Sequence, residues 1–318
     1  MTKILITGAL GQIGSELSTA LTKVYGPENV IITDIHDTNT SDLPLHYEKL
    51  DVNNEKAIQE IIEKHQINDV YHLAAMLSAT AEKFPVKGWE LNTHSLLYFL
   101  ELARNKKIQK LFWPSSIAVF GRGAQKENTP QEDVKNPLTM YGIAKSAGEG
   151  FCEIYHKNYG VDVRSIRYPG LISWKTQPGG GTTDYAVDIY YKALEQGKYT
   201  GFLNAKSRLP MMYMDDAVRA TIELMQAPAE NILVRTAYNL QAISFNPEEI
   251  AYEIKKHIPN FQIDYQPDYR QQIADNWPYS TNDIQAREQW NWKEEFNLES
   301  MTIEMLNNLK NKLKLTNS

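Results

Sequence analysis

Tyr141 and Lys145 stand four residues apart in Tyr141-Gly142-Ile143-Ala144-Lys145, a spacing that puts both side chains on one face of a helix. A free phenol, with an ordinary pKa of about 10, is a poor base at neutral pH. An ammonium group held beside it favours the phenolate, which can then take the proton of an alcohol. Ser116 lies 25 residues upstream, just after the run Lys110-Leu111-Phe112-Trp113-Pro114-Ser115. Its hydroxyl can hold and orient a substrate oxygen. A Tyr-x-x-x-Lys pair occurs on many helices, and Ser115-Ser116 can equally cap a turn. Neither feature alone marks a catalytic site.

Removing a proton from an alcohol is half of an oxidation, and the other half needs a hydride acceptor. Thr7-Gly8-Ala9-Leu10-Gly11-Gln12-Ile13-Gly14 follows the apolar run Lys3-Ile4-Leu5-Ile6 and precedes a stretch with leucines four apart, Leu17 and Leu21. It reads as strand, glycine turn and helix. Gly8 turns the chain, Gly11 clears space for a pyrophosphate, and Gly14 lets the helix sit close to the sheet. The N–H groups at the helix start, including those of Gln12 and Ile13, then face the phosphates. Asp34 ends a second apolar run 20 residues after Gly14, where a carboxylate binds the adenosine ribose hydroxyls. It repels a 2′-phosphate, and Ile35 and His36 follow it instead of Arg or Lys, so NAD is favoured over NADP. Asp51-Val52 follows the short extended Tyr47-Glu48-Lys49-Leu50 and is placed to reach the adenine edge. Asp69-Val70-Tyr71-His72-Leu73-Ala74-Ala75 reads as a buried strand whose small terminal residues let a cofactor lie across it. Lys145 can also hold the nicotinamide ribose.

The elements that must position these residues alternate strand and helix. A helix is expected over about 89–104, a strand at 110–113, a helix from about 138 to 159 with Pro137 in its first turn and Gly160 as its C-cap, and a sixth strand over 161–168. This pattern implies an α/β fold: a Rossmann-type doubly wound parallel sheet with a smaller C-terminal substrate lobe. Residues 1–170, with returning segments about 209–241, are assigned to the cofactor domain. Residues 171–208 and 242–318 are assigned to the substrate lobe, including an amphipathic tail over 298–315. Pro178-Gly179-Gly180-Gly181 reads as a mobile loop and a candidate hinge, followed by Thr182-Thr183-Asp184 capping a helix.

The chain has 318 residues and a net charge of −6, which gives no support for nucleic-acid binding. No long apolar run or cleavable leader is read, so a soluble, cytoplasmic location with no membrane partner is expected. The single cysteine, Cys152, is a small core residue in a helical pattern. The seven histidines are scattered without ligand spacing, His72 sits inside a strand, and no metal site is expected.

The order glycine turn, serine after a central strand, Tyr-Lys on the next helix resembles the extended short-chain dehydrogenase/reductase family over nearly the whole chain. Thr7-Gly8-x-x-Gly11-x-x-Gly14, Leu73-Ala74-Ala75, and the trio Ser116, Tyr141 and Lys145 match its motifs. The resemblance implies that Asn92 supports the active site among the cofactor residues, and that Tyr168-Pro169-Gly170 passes the nicotinamide. Longer strings are similar to the branch of that family that oxidises the 3-hydroxyl of L-threonine to 2-amino-3-oxobutyrate with NAD. They are Ala75-Met76-Leu77-Ser78-Ala79, Pro114-Ser115-Ser116-Ile117-Ala118-Val119-Phe120-Gly121, Arg167-Tyr168-Pro169-Gly170-Leu171-Ile172-Ser173, Gly180-Gly181-Thr182-Thr183-Asp184-Tyr185-Ala186-Val187 and Leu209-Pro210-Met211-Met212-Tyr213-Met214. Relatives often carry Thr where this chain has Ser116, and either hydroxyl serves. A small zwitterionic substrate needs hydroxyl and amide partners, and the expected set is Ser78, Ser116, Tyr141, Gly180, Thr182, Thr183 and Trp277. Thr182-Thr183 as a plain N-cap and Trp277 as a surface-packing residue are equally good readings. Two rivals stand beside this one: a nucleotide-sugar epimerase or dehydratase, and a non-catalytic cofactor-sensing protein. The first commonly shows an Asn-Val-Tyr-Gly-Pro-like string where this chain reads Leu171-Ile172-Ser173-Trp174. The second typically loses the Tyr or the Lys. The apolar helices near Leu96 and Tyr155 are expected to pair with a second subunit in a homodimer or higher homo-oligomer.

Overall fold

The computed structural model describes residues 2–40 and 45–314. The first half contains β1 (Ile4–Thr7), α1 (Gln12–Tyr25), β2 (Val30–Asp34), β3 (His46–Lys49), α2 (Glu55–His65), β4 (Asp69–His72), α3 (Ser78–Lys83), α4 (Pro85–Arg104), β5 (Lys110–Phe112), β6 (Ser115–Ser116) and α5 (Met140–Tyr159). The second half contains β7 (Asp162–Arg164), β8 (Ile166–Tyr168), β9 (Gly170–Ile172), α6 (Tyr185–Gln196), β10 (Lys198–Gly201), β11 (Leu209–Tyr213), α7 (Met214–Gln226), β12 (Tyr238–Asn239), β13 (Ile243–Phe245), α8 (Pro247–His257), β14 (Gln262–Tyr265), α9 (Arg270–Ala274), α10 (Ile284–Trp290) and α11 (Leu298–Lys312).

Six parallel strands form the main sheet in the order β3-β2-β1-β4-β5-β7. The winding direction reverses between β1 and β4, the crevice where such sheets bind nucleotides. Alternate residues of each strand face opposite sides. Ile4 and Ile6 pack with Leu17 and Leu21 of α1 and with Ala217 and Leu224 of α7. Leu5, Ile31 and Val70 pack with Ile58 and Ile62 of α2, Phe99 of α4 and Cys152 of α5. Arg164, fully buried, donates to the carbonyls of Leu224, Met225 and Ala227 at 2.6, 3.2 and 2.7 Å. Its guanidinium thereby satisfies the carboxyl end of α7 and ties that helix to the sheet.

Several expectations need correction. The single strand expected over 161–168 is divided at Ser165: β7 belongs to the main sheet, while β8 lies between β6 and β12. Pro114 sits across from this break and has no N–H to continue the ladder. α5 starts at Met140, with Thr139 as its N-cap accepting from the Gly142 N–H at 3.0 Å, so Pro137 lies before the cap. Of the expected cap Thr182-Thr183-Asp184, only Asp184 takes the N-cap position of α6, and its side chain makes no capping hydrogen bond there. The strand β9 breaks the looser pattern read after Gly170. The C-terminal helix ends at Lys312, and Leu315 lies outside the described residues.

The second lobe has its own apolar core, built from α6, α8, α11 and the antiparallel and parallel partners of β11. β11 serves both cores: Leu209, Met211 and Tyr213 face the second, while Met212 faces the main sheet's. Ala286, Trp290 and Trp292 also pack against the main sheet's cluster, with the Trp290 and Tyr238 rings 5.7 Å apart. The stretch 242–318 is therefore not confined to the substrate lobe.

A Cβ on Gly14 would lie 2.3 Å from the Gly8 carbonyl oxygen. Gly14→Ala is expected to lower the urea midpoint at constant slope, a loss of about 1–3 kcal/mol from overpacking. An unchanged midpoint would contradict the close approach of α1 to β1.

Candidate active site

A cavity of about 680 Å³ opens between the β1–α1 turn and the carboxyl ends of β2 and β4. Its walls include Gly8, Gly11, Gln12, Ile13, Gly14, Asp34, Asp51, Val52, Leu73, Ala74 and Ala75. α1 begins after Gly11 with no side-chain cap and no acidic residue in its first turn. Its opening N–H groups and positive dipole are thus left for an anion. Asp34 is held in place from three directions. Its Oδ2 accepts from the Leu10 N–H at 3.0 Å, and its Oδ1 accepts from the Ile35 N–H at 2.8 Å and lies 2.7 Å from His36 Nδ1. An uncapped helix start facing a fixed carboxylate across one crevice fits a dinucleotide, pyrophosphate at the first and ribose at the second. Asn92 is buried, and its amide is paired with Met76 in both directions, at 2.8 and 2.9 Å. It holds the loop after β4 instead of facing the cavity. His72 bridges Thr7 and Ser95 at 2.8 Å each, and burial pushes its pKa down to about 3, so it is a neutral core residue.

Ser116, Tyr141 and Lys145 meet where β6 runs against the first turns of α5. Gly142 permits the approach, since a Cβ there would lie 2.3 Å from the Ala118 carbonyl oxygen. Ser116 caps the short turn that follows it, accepting from the Ala118 N–H at 3.2 Å. Lys145 is 2% exposed; it donates to the Pro114 carbonyl at 2.5 Å and stands 4.4 Å from the Trp113 ring centroid. Its ammonium lies 5.6 Å from the Tyr141 ring centroid. Burial pushes the Lys145 pKa down to about 7, against the opposing charge of Glu149. Burial likewise pushes the Tyr141 phenol up to about 12, partly offset by a hydrogen bond with the Ser116 hydroxyl. The ammonium expected to lower the phenol is therefore itself weakened by dehydration. Without further positive charge in the site, Tyr141 stays a phenol at neutral pH.

Behind this trio lies a set of charges that sequence reading passed over. Glu149 sits one turn beyond Lys145 on α5 and is fully buried. It accepts from Arg167 at 2.8 Å through both oxygens, from Ser115 Oγ at 2.6 Å, and faces Lys135 Nζ at 2.8 Å. Burial would raise its pKa, but Arg167 and Lys135 outweigh it and hold the carboxyl below the usual range. Arg167 also donates to the Gln131 carbonyl and Asn239 Oδ1, at 2.7 and 3.0 Å. Ser115 and Arg167 are the chain neighbours of Ser116 and Tyr168, so Glu149 fixes both strand ends against α5. The spacing Lys145 to Glu149, with arginines inside an apolar strand, was the available signal.

The remaining candidates fall into two groups. Ser78 opens α3, just past the cavity residues Met76 and Leu77. Thr182 is buried, and Thr183 packs over Gly170 beside Pro169. Gly180 is not a free loop residue: Asp184 Oδ2 accepts from the N–H groups of Gly179, Gly180 and Gly181 at 2.7, 2.7 and 2.8 Å. Tyr168 packs against Phe112 and its hydroxyl meets Thr221 of α7, so its side chain belongs to the core. Trp277 is 9% exposed within the second lobe's core cluster and is not a surface residue.

A Rossmann sheet with this cavity and trio defines an NAD-dependent oxidoreductase of the extended short-chain dehydrogenase/reductase class. The chain belongs to the NAD dependent epimerase/dehydratase family, whose model matches residues 4–240. An uncharacterized epimerase/dehydratase of Staphylococcus haemolyticus is 46% identical over 98% of this chain and 99% of its own length. Among solved structures, a GalE-like L-threonine dehydrogenase from Cupriavidus necator in its holo form is 54% identical, with a TM-score of 0.95, covering 97% of this chain and all of that one. L-threonine dehydrogenase from Clostridium difficile is 46% identical, also at a TM-score of 0.95, with 98% of both chains covered. No helix among the described residues is long and apolar enough to cross a membrane.

The depressed Lys145 pKa carries a stability consequence. Between about pH 7 and 10.5 the unfolded chain binds a proton at Lys145 that the folded chain does not, so this group makes stability rise with pH across that window. Lys145→Met removes the effect. In urea unfolding the variant should be more stable than the parent at pH 7, with its advantage shrinking toward pH 10. A constant difference across that range would mean that the ammonium is not dehydrated in the fold.

Proposed function

We propose that the protein oxidises the 3-hydroxyl of L-threonine to a ketone, releasing 2-amino-3-oxobutyrate, with NAD as the hydride acceptor. The observation that carries the reading is that Ser116 and Tyr141 meet where β6 runs against α5, with Lys145 buried one helical turn beyond Tyr141. In this reading Ser116 holds the substrate oxygen and Tyr141 takes its proton. Lys145 steadies the cofactor's ribose. When bound, oxidised NAD would supply the hydride acceptor and the positive charge that the buried phenol lacks. The backbone at the helix start of Gln12, Ile13 and Gly14 holds the pyrophosphate, and Asp34 holds the adenosine ribose. Ser78, Gly180, Thr182, Thr183 and Trp277 form the proposed substrate wall. The Gly179–Gly181 amides are engaged by Asp184. The substrate carboxylate is therefore assigned to the hydroxyls of Ser78, Thr182 and Thr183.

The choice of L-threonine is supported by the 54% identity to the Cupriavidus necator L-threonine dehydrogenase. The Leu171-Ile172-Ser173-Trp174 segment, which lacks the string typical of nucleotide-sugar enzymes, supports it too. Incubation of the protein with NAD and L-threonine should produce the 340 nm absorbance of NADH, and nucleotide sugars should not turn over. Conversion of a nucleotide sugar without a response to L-threonine would overturn the substrate assignment. Tyr141→Phe is expected to reduce kcat/KM by about a hundredfold or more, as for lost general-base catalysis. Activity within about threefold of the parent would remove Tyr141 from the role of base.

A further inference from the structure

His46 and Glu48 alternate along β3, the edge strand of the main sheet, so their side chains leave the same face. His65 is the last residue of α2. The crossover from β3 through α2 brings these residues together although the two histidines are 19 positions apart. Scanning the sequence for ligand spacing could not find the cluster. Glu48 Oε1 lies 2.9 Å from His46 Nε2, within hydrogen-bond reach of His65 Nε2, and 2.8 Å from Lys64 Nζ. The two imidazole rings are 4.7 Å apart, centroid to centroid. One ligand atom from each of His46, Glu48 and His65 lies within 4.8 Å of the other two.

We propose that His46, Glu48 and His65 form a binding site for a divalent transition-metal ion of the zinc class. Two imidazoles and one carboxylate are an ordinary donor set for such an ion, with water in the fourth position. Ligand distances of about 2.0–2.1 Å in tetrahedral geometry require ligand atoms roughly 3.3 Å apart, so the Glu48 oxygen must withdraw slightly from both imidazole nitrogens, all three atoms already lying within 4.8 Å of one another. Side-chain rotation can supply it, because His46 is half-exposed and Glu48 and His65 reach the surface. The carboxyl end of α2, where His65 sits, adds negative partial charge that favours a cation. Lys64 now supplies a cation to the same carboxylate oxygen. Its side chain is 61% exposed and can withdraw into water at small cost. A bound ion would pin β3 to α2 at the open edge of the nucleotide-binding sheet.

The test is calorimetric titration of the full chain with Zn²⁺ alone, together with the thermal midpoint in Zn²⁺ and in chelator. One ion per chain should bind, and the midpoint should rise with Zn²⁺ by mass action. His46→Ala and His65→Ala should each weaken binding by about tenfold or more and abolish the midpoint shift. Lys64→Ala should tighten binding severalfold, because it removes the competing cation. Urea midpoints in chelator, equal to the parent's, identify the variants that fold. If His65→Ala does not fold, the half-exposed His46 position decides the matter. Parent binding weaker than about 100 μM would overturn the proposal, as would full affinity and stoichiometry in His46→Ala.

Discussion

A lysine ammonium held out of water is the constraint around which the proposed catalytic end of this molecule is arranged. Lys145 has one hydrogen-bond acceptor, the Pro114 carbonyl, and a tryptophan face for company. A buried charge is tolerated only where paired and hydrogen-bonded groups surround it. The next turn of α5 supplies Glu149, which in turn requires Arg167, Lys135 and Ser115. Arg167 then requires the Gln131 carbonyl and Asn239. This chain of satisfied polar groups joins α5, β6, β8 and β12 into one rigid block. Ser116 and Tyr141 inherit their positions from it, although neither touches Glu149.

The other half of the site depends on backbone instead of side chains. The reversal of winding between β1 and β4 leaves a crevice, and the uncapped start of α1 faces into it. Asn92 contributes at one remove by pairing both backbone groups of Met76. Thus the cofactor half is made of chain geometry and one fixed carboxylate, while the catalytic half is made of buried charge. Membership of the NAD dependent epimerase/dehydratase family accounts for both halves. The proposed substrate contacts fall on the segments after β4 and after the glycine run.

What could be read from the residues alone follows the physics of range. Local periodicity located β1, β2 and the Tyr-Lys helix, because a strand alternation or a three-to-four-residue stripe declares itself within a few residues. The glycine turn and Asp34 were legible for the same reason, being a short motif with a fixed offset. Contacts between distant segments were not legible. Glu149 carries no local signature, because its partner Arg167 comes from a strand beyond the end of its helix. The break at Ser165 is matched by the break at Trp113-Pro114, some fifty residues earlier, on the neighbouring strand. Trp277 sat in a polar stretch, yet burial is decided by which elements fold over it. Of the expected cap Thr182-Thr183-Asp184, Asp184 takes the N-cap position, but it turns its carboxylate back on the glycine amides.

The strand β11 has its odd-numbered side chains in one core and Met212 in the other. Two lobes built around a common strand are not interchangeable parts. A recombination that replaced the second lobe wholesale would strip Leu209, Met211 and Tyr213 of their neighbours while leaving Met212 in place, and both interiors would lose their fit. On this scaffold, revising the surface connections leaves both interiors intact, whereas exchanging a whole lobe disturbs both.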